Sequence, residues 1–236
     1  MHKLLIFDLW NTLIKTRGPR FVERMSLIFS ELSGQSISVD EFQDYLRSTG
    51  SLHQEIDVTE LAFEFWSYRF GTRSPGSLAH RAVSEHEAFV ASAHFIGRGD
   101  QVLSELRDKG CKIAIVSNAT SASVDVIKRL KINKMADEIW LSCKTGFLKP
   151  DPRAFASAAN HFGCQPSECI VIGDKINTDI LGARLTSMAT VLIDGQFEEE
   201  IVAPNGSMIS IIPSIDWLPR TLERTIGGVS GCRFNH

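Results

Sequence analysis

No stretch of the chain approaches the ~20 consecutive apolar residues of a membrane-spanning helix, so no membrane partner is expected. Basic residues are not in excess. Lys and Arg number 25 against 28 Asp and Glu, for a net charge of −3, and no basic patch marks a nucleic-acid groove. Cysteine is scarce: Cys111, Cys143, Cys164, Cys169 and Cys232 make an odd count with no close pair of the metal-binding type. That usage predicts reduced, structural thiols in a cytoplasmic protein. Repeats and low-complexity tracts are missing. The apolar N-terminal stretch is short, carries Asp8 and is followed by no small-residue cleavage site, so it reads as a mature strand rather than a signal peptide. What remains is ordinary globular composition, 43% hydrophobic and 22% charged over 236 residues. That is enough for one large domain or a domain with an insert.

Six short apolar runs recur: KLLIFDL (3–9), KIAIVSN (112–118), EIWLS (138–142), CIVIGD (169–174), ATVLIDG (189–195) and MISIIPS (208–214). They are apolar on both faces, as parallel strands covered by helices are. Helical patterns fall between them at 99–109, 120–131, 152–163, 177–186 and 215–224. The alternation predicts an α/β fold built on a doubly wound parallel sheet. Residues 15–98 break it, with no convincing strand and four helix-like stretches near 19–33, 39–48, 57–71 and 76–94. The expected organisation is an α/β core of residues 1–15 and 96–225, an all-helical cap of residues 16–95, and a flexible tail from 226 to 236.

In a sheet of this kind ligands sit beyond the carboxyl ends of the strands. Asp8, Ser117 and Asp174 fall at those ends. Asp8 can be a nucleophile or metal ligand there, or a turn residue. Thr12 can donate to a substrate anion or close the turn. Ser117 and the N–H of Asn118 can form an anion site or cap a helix. Lys149, in TGFLKPDP (145–152), can bridge a carboxylate and a phosphate as a point charge, or stand in solvent. Asp174 and Asp179, in IVIGDKINTDILGA (170–183), repel each other unless a cation lies between them, and Mg2+ suits such a pair.

Taken together, in this order and spacing, these residues resemble the haloacid dehalogenase-like hydrolase superfamily. The subclass is the one with a four-helix cap, and the likeness runs from Lys3 to about Leu222. The resemblance implies that Asp8 is the nucleophile of an aspartyl intermediate. It also implies that Ser117 and Asn118 hold the phosphoryl oxygens, with Thr12 close by. Lys149 would neutralise Asp8 and the transferring group. Asp8, the backbone carbonyl of Trp10 and Asp174 would hold Mg2+, with Asp179 supporting the metal waters or orienting Lys149. The substrate would be a small anionic molecule, and the protein a monomer or homodimer.

One position departs from the pattern. The family's phosphatases carry a second Asp two residues after the nucleophile, and here that residue is Trp10, whose indole cannot titrate usefully. The family's dehalogenases have an aromatic residue at this place and need no metal, but they carry uncharged residues in place of the Gly-Asp found here at Gly173 and Asp174, and a metal-free site would make Asp174 and Asp179 a liability. The expectation is therefore a Mg2+-dependent phosphatase or phosphotransferase with Trp10 in place of the acid–base. The alternatives are a metal-independent 2-haloacid dehalogenase and a non-catalytic protein that binds a phosphometabolite. His53 and His94 are candidates for the missing proton shuttle. Arg20 and Arg24 share a helix face that could meet an anion or solvent. FEFWSYRF (63–70) is expected to pack as cap core.

Overall fold

The computed structural model describes residues 4–52, 54–202 and 209–226. A seven-stranded sheet forms its centre. The strands are β1 (Leu4–Phe7), β4 (Lys112–Ser117), β5 (Glu138–Leu141), β6 (Cys169–Gly173), β7 (Ala189–Ile193), β8 (Ile201–Val202) and β9 (Ile209–Ile212), in the order β5-β4-β1-β6-β7-β9-β8. Six run parallel, and only β8 is antiparallel to its neighbour.

β1 lies inside the sheet, its four residues LLIF fully buried. Successive side chains of a strand point to opposite faces, and the two hydrophobic clusters follow that rule. Leu5, Phe7, Ile113, Ile115, Ile170 and Ile172 belong to one. Leu4, Ile6, Ala114, Val116 and Val171 belong to the other. The second face is closed by α8 (Pro152–His161) through Ala154, Phe155, Ala158 and Ala159. The first carries α5 (Gly99–Asp108), α6 (Ala122–Arg129) and α10 (Leu218–Ile226). Two short helices complete the connections, α7 (Ser142–Thr145) and α9 (Leu181–Leu185).

Four helices lie between β1 and α5: α1 (Phe21–Ser33), α2 (Val39–Ser48), α3 (Val58–Phe70) and α4 (Leu78–Ser92). Ser38 caps α2 by accepting from the Glu41 N–H, and Asp57 caps α3 by accepting from the Thr59 N–H at 2.7 Å. Gly34 and Gly71 end α1 and α3 at φ 69° and 62°, backbone that favours glycine. The stretch 63–70 divides between faces. Phe65 and Trp66 are buried, with Phe65 at 4.4 Å from Phe29 and 4.9 Å from Phe42 between ring centres, whereas Phe63 and Tyr68 are exposed.

Several expectations need correction. The segment read as free of strands has one at each end, β2 (Ile14–Thr16) and β3 (Ala93–Phe95), paired antiparallel with Ile14 opposite Phe95. Three-residue strands are too short to show an alternation. The helix expected at 177–186 begins instead as a π-helical turn over Ile176–Ile180. Cys111 is disulfide-bonded, so the reading of five reduced thiols fails there, while Cys143, Cys164 and Cys169 are free. The number and spacing of the cysteines carry no signal for that bond. His53 and the tail beyond Ile226 lie outside the described residues. Among the described residues, no helix is long and apolar enough to cross a membrane.

Candidate active site

Loops leaving the carboxyl ends of β4, β1 and β6 meet the loop after α7 at one edge of the sheet. Asp8 follows β1 directly, Ser117 ends β4, and Asp174 follows β6. The Asp8 N–H donates to the Ile172 carbonyl at 2.8 Å, which continues the β1–β6 ladder and fixes where the carboxylate emerges. Next in the chain, the turn places Asn11 at φ 61°, a left-handed conformation that Asn tolerates better than most residues.

Lys149 is the centre of the site. Its side chain is 3% exposed, and its ammonium donates to Asp8 Oδ1 at 2.5 Å and to Asp179 Oδ1 at 2.6 Å. A buried cation without partners would be costly. Burial alone would lower the Lys149 pKa, but the charges of Asp8 and Asp179 and the bonds to them outweigh it and hold the pKa above the ordinary lysine value. The Lys149 backbone is clamped as well. Its N–H donates to Asn118 Oδ1 at 2.7 Å, and its carbonyl accepts from Asn118 Nδ2 at 2.9 Å. The sequence pointed to the Asn118 N–H; its side chain also positions the lysine loop. Ser117 Oγ donates to Asp8 Oδ1 at 3.3 Å.

Asp179 reaches Lys149 by folding back against Gly173. A Cβ on Gly173 would lie 2.5 Å from the Asp179 side chain, so glycine is required there for close approach. The other Asp179 oxygen accepts from the Lys175 N–H at 3.0 Å.

Ligand oxygens of Asp8, Asp174 and Asp179 all lie within 4.8 Å of one another. Asp174 Oδ1 is buried without a hydrogen-bond partner. Burial, then the charges of Asp8 and Asp179, push the Asp174 carboxyl up to about 6. Hard oxygen donors, an orphaned carboxylate oxygen and a surplus of negative charge are what a divalent cation of the Mg2+ type satisfies, so the residues fit that group.

A stability consequence follows for metal-free protein. The Asp174 pKa rises from 3.8 unfolded to about 6 folded. Its contribution is therefore complete below pH 3.8 and is lost as the pH climbs through 6. Asp174→Asn is expected to raise the melting temperature in EDTA at pH 8, by the equivalent of about 1 kcal/mol once solvent screening is discounted, and to leave it unchanged near pH 4. Equal shifts at both pH values in calorimetry would contradict this.

Above the carboxylates, a cleft of about 610 Å³ opens between the helical insert and the sheet edge. Its lining includes Trp10, Phe21, Leu46 and Phe89 on the apolar side, and Arg20, Arg47, Lys149 and Lys175 as cations, with no Asp or Glu. Arg20 is exposed and paired with Glu23, and Arg47 with Asp44. Arg24 turns to Glu85 at 2.7 Å and takes no part in the lining. His94 packs in β3 with Nδ1 near the Ser92 carbonyl, and it too is absent from the lining. Thr12 is fully buried, its hydroxyl without a partner, and it does not line the cleft. The indole of Trp10 is engaged: Nε1 donates to Ser123 Oγ at 3.0 Å. Nothing in the sequence signalled Ser123, one of several small polar residues at the start of α6. Arg47 and Phe89 were likewise missed, because only the packing of α2 and α4 brings them to the cleft.

A model of the haloacid dehalogenase-like hydrolase family matches residues 2–185. Among curated proteins, the chain is 27% identical over 228 residues to a glyceraldehyde 3-phosphate phosphatase of Methanothermobacter thermautotrophicus, covering 94% of this chain and all of that one. Among solved structures it resembles a phosphatase of the same superfamily from Thermococcus onnurineus, at TM-score 0.62, 20% identity, and 96% and 99% coverage of the two chains. It also resembles a 2-haloacid dehalogenase from Pseudomonas syringae, at TM-score 0.67, 18% identity, and 95% and 99% coverage. At such identities these structural likenesses establish the fold.

Proposed function

The chain belongs to the haloacid dehalogenase-like hydrolase family and is an enzyme, and on that premise we propose that it is a Mg2+-dependent phosphatase or phosphotransferase acting on a small phosphorylated metabolite. The observation that carries this reading is the three-carboxylate cluster around Lys149. Lys149 pairs with Asp8 and Asp179 only, so in a metal-free dehalogenase Asp174 would be uncompensated charge beside the nucleophile. The named phosphatase relative supports the same reading. Residues 1–15 and 96–225 act as the core and residues 16–95 as a cap that shapes the cleft.

In this reading an Asp8 carboxylate oxygen forms a bond to phosphorus as the bond to the leaving-group oxygen breaks. Water then cleaves the aspartyl-phosphate, regenerating Asp8 and releasing inorganic phosphate. Lys149 and Ser117 orient Asp8, and Lys149 adds positive charge where the transferring group gains negative charge. The Asn118 N–H serves the phosphoryl oxygens, and Thr12 shapes the loop beneath them. Mg2+, held by Asp8, Asp174 and the Trp10 carbonyl, would supply charge neutralisation at those oxygens. Asp179 keeps Lys149 in place.

Trp10 cannot exchange a proton with the leaving group, and its N–H is already given to Ser123. Substrates whose leaving group needs no protonation are therefore favoured: aryl and acyl phosphates over alkyl phosphates. Introducing the missing carboxylate, Trp10→Asp, is expected to raise alkyl phosphate turnover by up to ~10²-fold, the lower end of what a general acid–base contributes. The test is steady-state hydrolysis of phenyl phosphate and glycerol phosphate by wild type and Trp10→Asp, with Mg2+ and with EDTA. Equal wild-type rates on both esters, unchanged in the variant, would refute the role given to Trp10. Metal-independent halide release from a 2-haloacid would refute the phosphatase reading itself.

A further inference from the structure

We propose that Ser123 is a positioning residue that fixes the Trp10 indole as a wall of the substrate cleft and through it ties the core to the helical insert. Ser123 sits in the first turn of α6, 3% exposed, and its hydroxyl accepts the indole N–H at 3.0 Å. The other side of the ring meets Phe89 of α4, with centroids 5.3 Å apart and planes tilted by 39°. Phe89 in turn packs edge-on against Phe21 of α1 at 5.6 Å. One continuous contact therefore runs from α6 of the core, through the loop after β1, to two helices of the insert. Trp10, Ser123, Phe21 and Phe89 all line the same cleft.

The chemistry of the contact makes Ser123 more than filler. An indole N–H is a donor only, and it loses a hydrogen bond if no acceptor is present. With Ser123 in place, the ring has one orientation that satisfies both its polar edge and its apolar face against Phe89. Without the hydroxyl the two demands separate, and the ring can turn to seek another acceptor in the cleft. Because the Trp10 ring lines the cleft while Asp8 is held separately by Lys149 and Ser117, a loosened ring alters substrate fit more than it alters the attack by Asp8. A second contact reinforces the same pair of helices: His86 of α4 meets Asp125 of α6 at 3.1 Å.

The kinetic half of the test rests on the phosphatase reading, and the spectroscopic half does not. Protein carrying 5-fluorotryptophan has four fluorine sites, at Trp10, Trp66, Trp140 and Trp217, and Trp10→Phe identifies the Trp10 resonance by its loss. Ser123→Ala is expected to move that resonance and leave the other three in place, whereas Ser123→Thr, which keeps the hydroxyl, restores it. With phenyl phosphate, Ser123→Ala is expected to raise KM roughly 2- to 10-fold, the worth of one net hydrogen bond, with kcat held within about twofold. Ser123→Ala is expected to change little further once Trp10 is Phe, because the partner it served is gone. A Trp10 resonance indifferent to Ser123→Ala, or kinetic effects of the two substitutions that simply add, would overturn the proposal. If no phosphate is released at all, the phosphatase reading falls while the fluorine spectrum still decides the role of Ser123.

Discussion

Asp8→Asn is expected to bring turnover to background, a loss of at least about 10³-fold, without unfolding the protein. The substitution exchanges one carboxylate oxygen for an amide nitrogen at nearly constant volume. It removes the carboxylate read as the nucleophile, and the remaining residues can bind but not form the covalent intermediate. Folding should survive because Lys149 keeps Asp179 at 2.6 Å and the Asn carbonyl still accepts from Ser117. Phosphate release measured beside a thermal melt checks both halves. Activity within tenfold of wild type in a folded variant would remove Asp8 from the nucleophile's role.

Lys149→Met is expected to cost stability as well as activity. The ammonium is buried between two carboxylates that are themselves 9% and 1% exposed. Removing one partner of a buried ionic group costs about 3–5 kcal/mol, because the charges left behind have no compensation. Here Asp8, Asp174 and Asp179 would crowd together within 4.8 Å with no cation. For a chain of this length that corresponds to a fall of roughly 6–20 °C in melting temperature. Added Mg2+ should recover part of the loss, since a ligand that binds only the folded state stabilises it by mass action. Calorimetry in EDTA and in Mg2+ reads both effects. A variant that melts with wild type in EDTA would show that Lys149 does not neutralise the cluster.

The sheet was legible because its parallel strands are apolar on both faces, and a run such as LLIF has no other stable place than between two layers of helices. The helices of the insert were legible through caps and glycines, Asp57 and Gly71 above all. The ends of that insert were not, because Ile14–Thr16 and Ala93–Phe95 form strands only by pairing with each other across nearly eighty residues. At the site, Asp8 and Asp174 announced themselves by falling at strand ends, where charge is out of place in a strand pattern, and Lys149 by its place beside Pro150 in the loop just ahead of a helix. The second job of Asn118 was hidden, since a clamp on the Lys149 backbone depends on how two loops meet. So was Ser123: a serine in the first turn of a helix reads as a capping residue until the fold brings an indole to it. Lys175 and Arg47 belong to the cleft for reasons of packing that no local pattern records.

The claim on which the rest depends is that a divalent cation completes the cluster beside the nucleophile. A crystal soaked in Mn2+, a stand-in for Mg2+ that is visible by anomalous scattering, tests it directly. The expected result is a single strong peak in contact with carboxylate oxygens of Asp8 and Asp174 and with the Trp10 carbonyl, Lys149 remaining on the far side of Asp8. A site without a peak at millimolar Mn2+, with Asp8 and Asp174 turned apart, would contradict the account.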